Sequence, residues 1–300
     1  MNANILHSLS GRFVRSICLA LTIVMAIVLT HAWGLVGTAV AQENPVIPNF
    51  WDPQERFIKP NVKDLPRLRF LTSTDFPPFS YIDKDKRLTG FHIDLARAIC
   101  AELEVMQVCQ IQALPFAELQ SQLSQRRGEA IIAGLVANQE SRNELAFTRP
   151  YFWLPARFMA KKSAAFSEPL SEALSGKEIA VVDGTSHAAM ALGKFGNMRV
   201  RLFDTQDAAL LALRQNKVAA VFGDGLTLAF WQQSGKAEAD CCKFVGNAYL
   251  SPDYLGNGMA IAVSKEDQQL QGALNYALRT INDRGTFAEL YLRYFPIGLF

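Results

Sequence analysis

The chain has 300 residues, half of them hydrophobic, enough for two lobes with separate cores. Its 30 Lys and Arg against 28 Asp and Glu leave a formal charge of +2. Arg12 and Arg15 belong to a leader without acids, so the remainder is formally neutral. No basic block interleaved with aromatics points to a nucleic-acid partner.

Residues 1–41 have the pattern of an export signal. Arg12 and Arg15 precede an apolar run, Ile17–Leu29, and Ala39-Val40-Ala41 supplies small residues ahead of Gln42. The run is short of a full membrane span, so cleavage is expected rather than anchoring. After the leader four cysteines remain, Cys100, Cys109, Cys241 and Cys242, and an even number in an oxidising compartment favours disulfides. Cys100 and Cys109 flank a helix end turning into a strand, where a short-loop bridge fits. The adjacent Cys241-Cys242 leaves open a vicinal bridge, separate partners or free thiols. All four as small buried hydrophobes is the plainer alternative. His92 and His187 show no ligand spacing to the cysteines, so no zinc and no cofactor is expected.

Residues 42–66, rich in Pro and polar side chains, read as an extended surface arm with Phe50 and Trp51 pinning it. Leu68 and Phe70 alternate with Arg67 and Arg69, the period of a strand with one buried face. A rigid loop (72–79) and a turn at 83–86 follow, and Gly90–Leu95 opens a helix with apolar positions Ile93, Ala96, Ile99 and Leu103. Residues 108–114 read as a strand, 116–126 as a helix and 130–133 as a buried strand ending at Gly134. Asn138 then serves as a helix N-cap, and Arg142 lies past the strand's carboxyl end, where open α/β sheets bind ligands. A guanidinium there suits a carboxylate, although a surface pairing of Arg142 with Glu140 or Glu144 is the alternative.

The strand–helix alternation implies a parallel, doubly wound sheet. Residues 150–160 form an extended apolar crossover into a second lobe, in which the alternation restarts. Strands 178–182, 200–203 and 219–222 alternate with helices 187–195, 205–215 and 226–233. The chain crosses back near 249–258, continues as strand 258–263 and ends in a helical region, 267–294. Two α/β lobes joined by two crossovers enclose a cleft suited to clamping a small ligand. Within it Asp224 reads either as a ligand group or as the cap of the helix that follows. Phe76 and Phe116 read as ligand contacts or core, and Tyr151, Phe152 and Trp153 as hinge packing. His92 starts a helix, and His187, beside Thr185-Ser186, reads as structural.

Several of these pieces resemble one family. Thr74-Asp-Phe-Pro-Pro-Phe-Ser-Tyr81, Leu88-Thr-Gly-Phe-His-Ile-Asp-Leu-Ala96, the strand end at Gly134 and Phe147-Thr-Arg-Pro-Tyr151 match in order. Gly184-Thr185, Val221-Phe-Gly-Asp224 and Asp283-Arg-Gly-Thr-Phe-Ala-Glu-Leu-Tyr291 continue the match. The chain is similar to the family 3 solute-binding proteins, periplasmic amino-acid receptors of ABC importers with the type II binding-protein fold. The resemblance implies a signal peptide (1–41), an arm (42–66), a first lobe (67–155), a second lobe (156–250) and a return to the first lobe (251–300). It also implies a periplasmic monomer that binds an amino acid and partners an ABC permease in the inner membrane.

Carried over by position, Phe76 would stack on the ligand, Ser73 would contact its amino group or side chain, and Phe116 would cap the side-chain pocket. Gly134 and Val136 would offer backbone groups. Arg142 would grip the α-carboxylate, Thr185 and Ser186 would present a helix N-terminus to it, and Asp224 would bind the α-ammonium. The Cys100/Cys109 pair resembles a disulfide found in part of the family. Two departures stand out: Arg142 lies one residue closer to Phe147 than is usual, and Ser73 and Val182 replace charged residues. The competing readings are a secreted enzyme of the cyclohexadienyl-dehydratase type on the same fold, with Glu140, Glu144 and His187 as the nearby acid–base candidates, and a periplasmic carrier of another metabolite.

Overall fold

A computed structural model describes residues 47, 49, 51–52, 54–62, 65–135, 137, 141–235, 239–295 and 298–300. The leader 1–41, Phe50, Val136, Asn138 and Glu140 lie outside the described residues. The first part of the chain supplies β1 (Leu68–Thr72), β2 (Asp75–Phe76), β3 (Ser80–Ile82), β4 (Leu88–Thr89) and α1 (Phe91–Glu102). Next come β5 (Cys109–Ala113), α2 (Leu119–Ser124), β6 (Ala130–Ile131) and β7 (Leu145–Phe147). The second lobe runs β8 (Ala156–Lys161), α3 (Leu170–Ala173), β9 (Glu178–Val182), α4 (Ser186–Lys194), β10 (Arg199–Phe203) and α5 (Gln206–Arg214). It is completed by β11 (Ala220–Asp224), α6 (Gly225–Gln232) and β12 (Cys242–Tyr249). The return comprises α7 (Pro252–Leu255), β13 (Ala262–Ser264), α8 (Gln268–Asp283) and α9 (Thr286–Tyr294).

Two five-stranded sheets result, ordered β5-β1-β6-β13-β7 and β10-β9-β11-β8-β12, with β2-β3-β4 as a small third sheet. The expected all-parallel arrangement holds only at one side of each sheet. β13 runs antiparallel to β6 and β7, and β8 antiparallel to β11 and β12. The chain passes between lobes directly, and a parallel neighbour needs a long covering connection that these crossovers lack. β1 departs from the one-faced pattern as well: Leu68 and Phe70 enter one core cluster and Leu71 another, because β1 lies between β5 and β6. β12 was absent from the expected elements. Its alternation is interrupted at Gly246 (φ +63), where a Cβ would stand 2.5 Å from the Leu170 side chain. The expected terminal helical region forms as two helices, separated at Gly285 with φ +81. In α8 the buried Leu270, Ala273, Leu274, Ala277, Leu278 and Ile281 keep helical spacing, and Asp267 caps its start by accepting from Leu270 N–H at 3.0 Å.

Disulfides join Cys100 to Cys109, across the α1-to-β5 turn, and Cys241 to Cys242 at the start of β12. The arm is fixed on the first lobe. Trp51 is buried edge-on to Phe57, Glu55 accepts from both Nε and Nη2 of Arg149, and the Asp52 carbonyl accepts from Arg279 at 2.8 Å. Among the described residues no helix is long and apolar enough to cross a membrane.

The crossovers lie side by side. Tyr151 N–H donates to Met259 O at 2.9 Å, and Met259 N–H to Phe152 O at 2.7 Å. Beneath them, fully buried His92 takes the Tyr151 hydroxyl on Nε2 at 2.7 Å. Burial pushes the His92 imidazole down to about 3. Burial raises the Tyr151 phenol, with the nearby Gly134 N–H acting in the opposite direction. The ring is therefore neutral at neutral pH.

Two outcomes are expected. Gly90 has φ +127, and a Cβ there would stand 2.3 Å from the Phe79 carbonyl oxygen. Gly90→Ala should lower unfolding stability by at least ~2 kcal/mol in urea titrations, and a loss below a few tenths would contradict the geometry. For His92, the unfolded imidazole takes up a proton below pH 6.5 and the folded one only near 3. Stability should thus fall with decreasing pH by up to ~1.4 kcal/mol per unit in that window and level off below it. His92→Gln should flatten this slope by about one proton; identical slopes in both proteins would refute the assignment.

Candidate functional site

Four expected site residues stand at or just beyond carboxyl ends of parallel strands: Ser73 after β1, Gly134 after β6, Thr185 after β9 and Asp224 closing β11. Ser73 is 1% exposed, and its Oγ has no partner within the described structure. Leaving a buried hydroxyl so costs roughly 1–3 kcal/mol, which marks the position as one where folding stability was not the sole constraint. Phe76 stacks on Phe79 with centroids 4.6 Å apart, and its ring lies against the backbone of Gly134. A Cβ on Gly134 would stand 2.6 Å from Phe76 Cε1, and φ is +75 there, so both space and backbone call for glycine. Phe76 is thus both core packing and surface of the cleft wall. Phe116, 48% exposed on the short 3-10 turn before α2, is not core.

On the second lobe, Thr185 caps α4. Its Oγ1 accepts from Ala188 N–H at 3.1 Å and donates to Val182 O at 2.7 Å. Ser186 is exposed in the first turn. Asp224 performs the capping role that its sequence position suggested, with Oδ1 accepting from Thr227 N–H at 2.7 Å and from its hydroxyl at 2.6 Å. Among the described residues no hydrogen bond uses Oδ2, so the cap leaves one carboxylate oxygen for another partner. Sequence reasoning set His187 aside, yet it is half-buried and electrostatically coupled to that carboxylate. Burial pulls its imidazole down while Asp224 pulls it up. Its place one step inside a capped helix, after Thr185-Ser186, was the signal available.

Arg142 stands apart. It is exposed on a 3-10 turn (Ser141–Asn143) with its guanidinium 5.6 Å above the Phe147 ring. The pairing with Glu144 does not form, since Glu144 accepts from Gln120 instead, and among the described residues no ion pair neutralises Arg142. Arg142 lines a cavity of about 900 Å³ beside the arm, together with Trp51, Trp153, Leu250, Asp52 and the Glu55–Arg149 pair. The residues described around that cavity do not include Ser73, Phe76, Gly134, Thr185 or Asp224. The structure therefore brings together Phe76 with Gly134 and His187 with Asp224, and leaves Arg142 separate from both. Val136 lies outside the described residues. No group of three or more His, Cys, Asp or Glu among the described residues is arranged to hold a metal.

Comparison with known proteins places this geometry. Residues 68–297 match the model of the bacterial extracellular solute-binding proteins, family 3. The putative ABC transporter arginine-binding protein 2 of Escherichia coli is 31% identical, covering 76% of this chain and 90% of that protein. The L-arginine-binding protein of Pseudomonas aeruginosa is 30% identical over 75% of this chain and 86% of its own length. Among solved structures, the L-cystine solute receptor of Neisseria gonorrhoeae aligns over 78% of this chain and 94% of that one. Its TM-score is 0.67 at 18% identity, a likeness of fold. An arginine third transport system periplasmic binding protein from Legionella pneumophila aligns over 76% and 99%, with a TM-score of 0.50 and 26% identity. The chain belongs to the family 3 bacterial extracellular solute-binding proteins.

Proposed function

We propose that the protein binds a zwitterionic amino acid between its lobes in the periplasm, as a monomer, and delivers it to an ABC permease of the inner membrane. The lobes are residues 67–155 with 251–300, and residues 156–250. The observation that supports this reading is that Ser73, Gly134, Thr185 and Asp224 each stand at or just beyond the carboxyl end of a parallel strand, the first two in one sheet and the last two in the other.

The roles follow from the chemistry of each group. Phe76 offers a ring face to the ligand, Phe116 closes the side-chain end, and Ser73 supplies a hydroxyl already removed from water. Gly134 and Val136 offer backbone groups. Thr185 and Ser186 present amides of a helix start to a carboxylate. Asp224 binds the ammonium through Oδ2 while Oδ1 keeps its cap. Arg142, on the other lobe, takes the carboxylate. A ligand that touches both Arg142 and Asp224 binds the closed state better than the open one, and that difference drives closure. Two relatives are arginine-binding proteins, which makes arginine the first ligand to test.

A thermal-shift screen of the twenty amino acids should show a rise in melting temperature for one chemical class, because a ligand of the folded state stabilises it by mass action. By calorimetry, Arg142→Ala and Asp224→Asn should each weaken the best ligand about 100-fold. The asparagine keeps the cap on α6, so folding is preserved. Normal binding by both variants would reject this site.

A further inference from the structure

The parallel strands of the second lobe carry opposite charges at their two ends. Lys177 precedes β9 and Asp183 follows it, and Arg199 opens β10 with Asp204 beyond its end. Lys217 shortly precedes β11, which Asp224 closes. Because β8 runs antiparallel to β11, its last residue, Lys161, falls at the same edge as those three cations. That edge is the opposite of the one that carries Thr185 and Asp224. Backbone pairing fixes the positions: Arg199 stands in register with Glu178, and its N–H donates to Lys177 O at 2.9 Å. Ala219 N–H in turn donates to Glu178 O at 2.8 Å.

The four cations do not scatter over a solvated face. Lys161, Lys177, Arg199 and Lys217 all line one cavity of about 530 Å³, shared with the buried Leu213 and Val218. That volume lies within the ~300–1,000 Å³ of ligand pockets. The acid that lines it, Glu178, is already engaged by Arg201 at 3.7 Å, and Arg201 is not among the residues described around the cavity. Among the described residues no ion pair reaches any of the four. Like charges gathered in one hollow repel one another, so stability of the fold does not call for this arrangement.

The donor set selects a chemistry. A guanidinium offers a planar fork for two oxygens, and each ammonium offers a compact point charge with three donors. One carboxylate has too few oxygens to engage four such groups, whereas adjacent phosphates spread several charges over many acceptors. We propose that this cavity binds an anion with two or more adjacent phosphate groups, at a site separate from the amino-acid cleft. The groups belong either to a free pyrophosphate-type solute or to phosphate headgroups clustered at a membrane surface, and the recognition chemistry is the same. The inference stands independently of the amino-acid reading.

The test is a calorimetric titration of the purified protein with inorganic pyrophosphate, free of divalent metal and at low ionic strength. Saturable binding is expected, and added salt should weaken it. Arg199→Gln and Lys217→Gln should each reduce the affinity about tenfold without lowering the melting temperature, since both side chains are exposed and relieve repulsion when neutralised. Lys84→Gln removes the same charge from an exposed position on the first lobe and should change nothing. Sedimentation with phosphatidylglycerol vesicles, against phosphatidylcholine vesicles, separates the two sources. Pyrophosphate binding without vesicle binding supports the site and assigns it to a free solute. Vesicle binding that the same two variants abolish supports it and assigns it to headgroups. Silence in both arms, full affinity in the two variants, or an equal loss in Lys84→Gln would overturn the site and leave the receptor reading untouched.

Discussion

Two hydrogen bonds between the crossovers, Tyr151 N–H to Met259 O and Met259 N–H to Phe152 O, set the geometry on which the remaining structure depends. Each sheet closes within its own lobe, and this short antiparallel contact ties the two crossovers together at the hinge. The contact is immobilised from below. Phe152 packs among Phe79, Phe91, Tyr291 and Phe295, with centroid separations of 4.8–5.8 Å. Gly258 completes the fit, since a Cβ there would stand 2.9 Å from the Phe152 carbonyl. Tyr151 and His92 add a buried polar bond to an otherwise apolar floor. An unpaired phenol at that depth would be costly, and the neutral imidazole is the partner that satisfies it.

Motion is confined by a second buried group. Arg157, at the start of β8, donates to Leu299 O at 2.9 Å and Gly246 O at 3.2 Å, with its guanidinium 4.6 Å above Phe244. Among the described residues no ion pair reaches it, and burial lowers its proton affinity; a guanidinium nonetheless stays charged in proteins. A permanent cation held by carbonyl dipoles and a ring face cannot leave them cheaply. β8, the irregular end of β12 and the chain terminus are therefore tied to one another through this one side chain.

Much of this was legible in the sequence because local physics decided it. Helices capped by Thr185, Thr205, Asp224 and Asp267 form where side-chain oxygens precede apolar periodicity. Strands β9, β10 and β11 are apolar or alternating runs between such helices. What escaped depended on partners remote in sequence. β12 exists because β8 offers an unpaired edge, and its own pattern is broken by Gly246. The antiparallel placement of β13 follows from the direct hinge crossing. The Cys100–Cys109 bridge was carried by family likeness, whereas three states of Cys241-Cys242 fitted the sequence equally and only the fold selects the vicinal bridge.

The direction of Arg142 lies beyond any periodicity. On a 3-10 turn adjacent positions point about a third of a revolution apart, so the turn itself decides which space the Arg142 guanidinium serves. Its surroundings hold it there. The Phe147 ring supports the cation from below, and Glu144, the neighbour most able to recapture it, is held by Gln120 at 2.7 Å. One wall of the space it lines is the arm, held in place by Trp51, Asp52 and Glu55. A turn that follows β6 and a segment outside the matched residues 68–297 thus border the same volume.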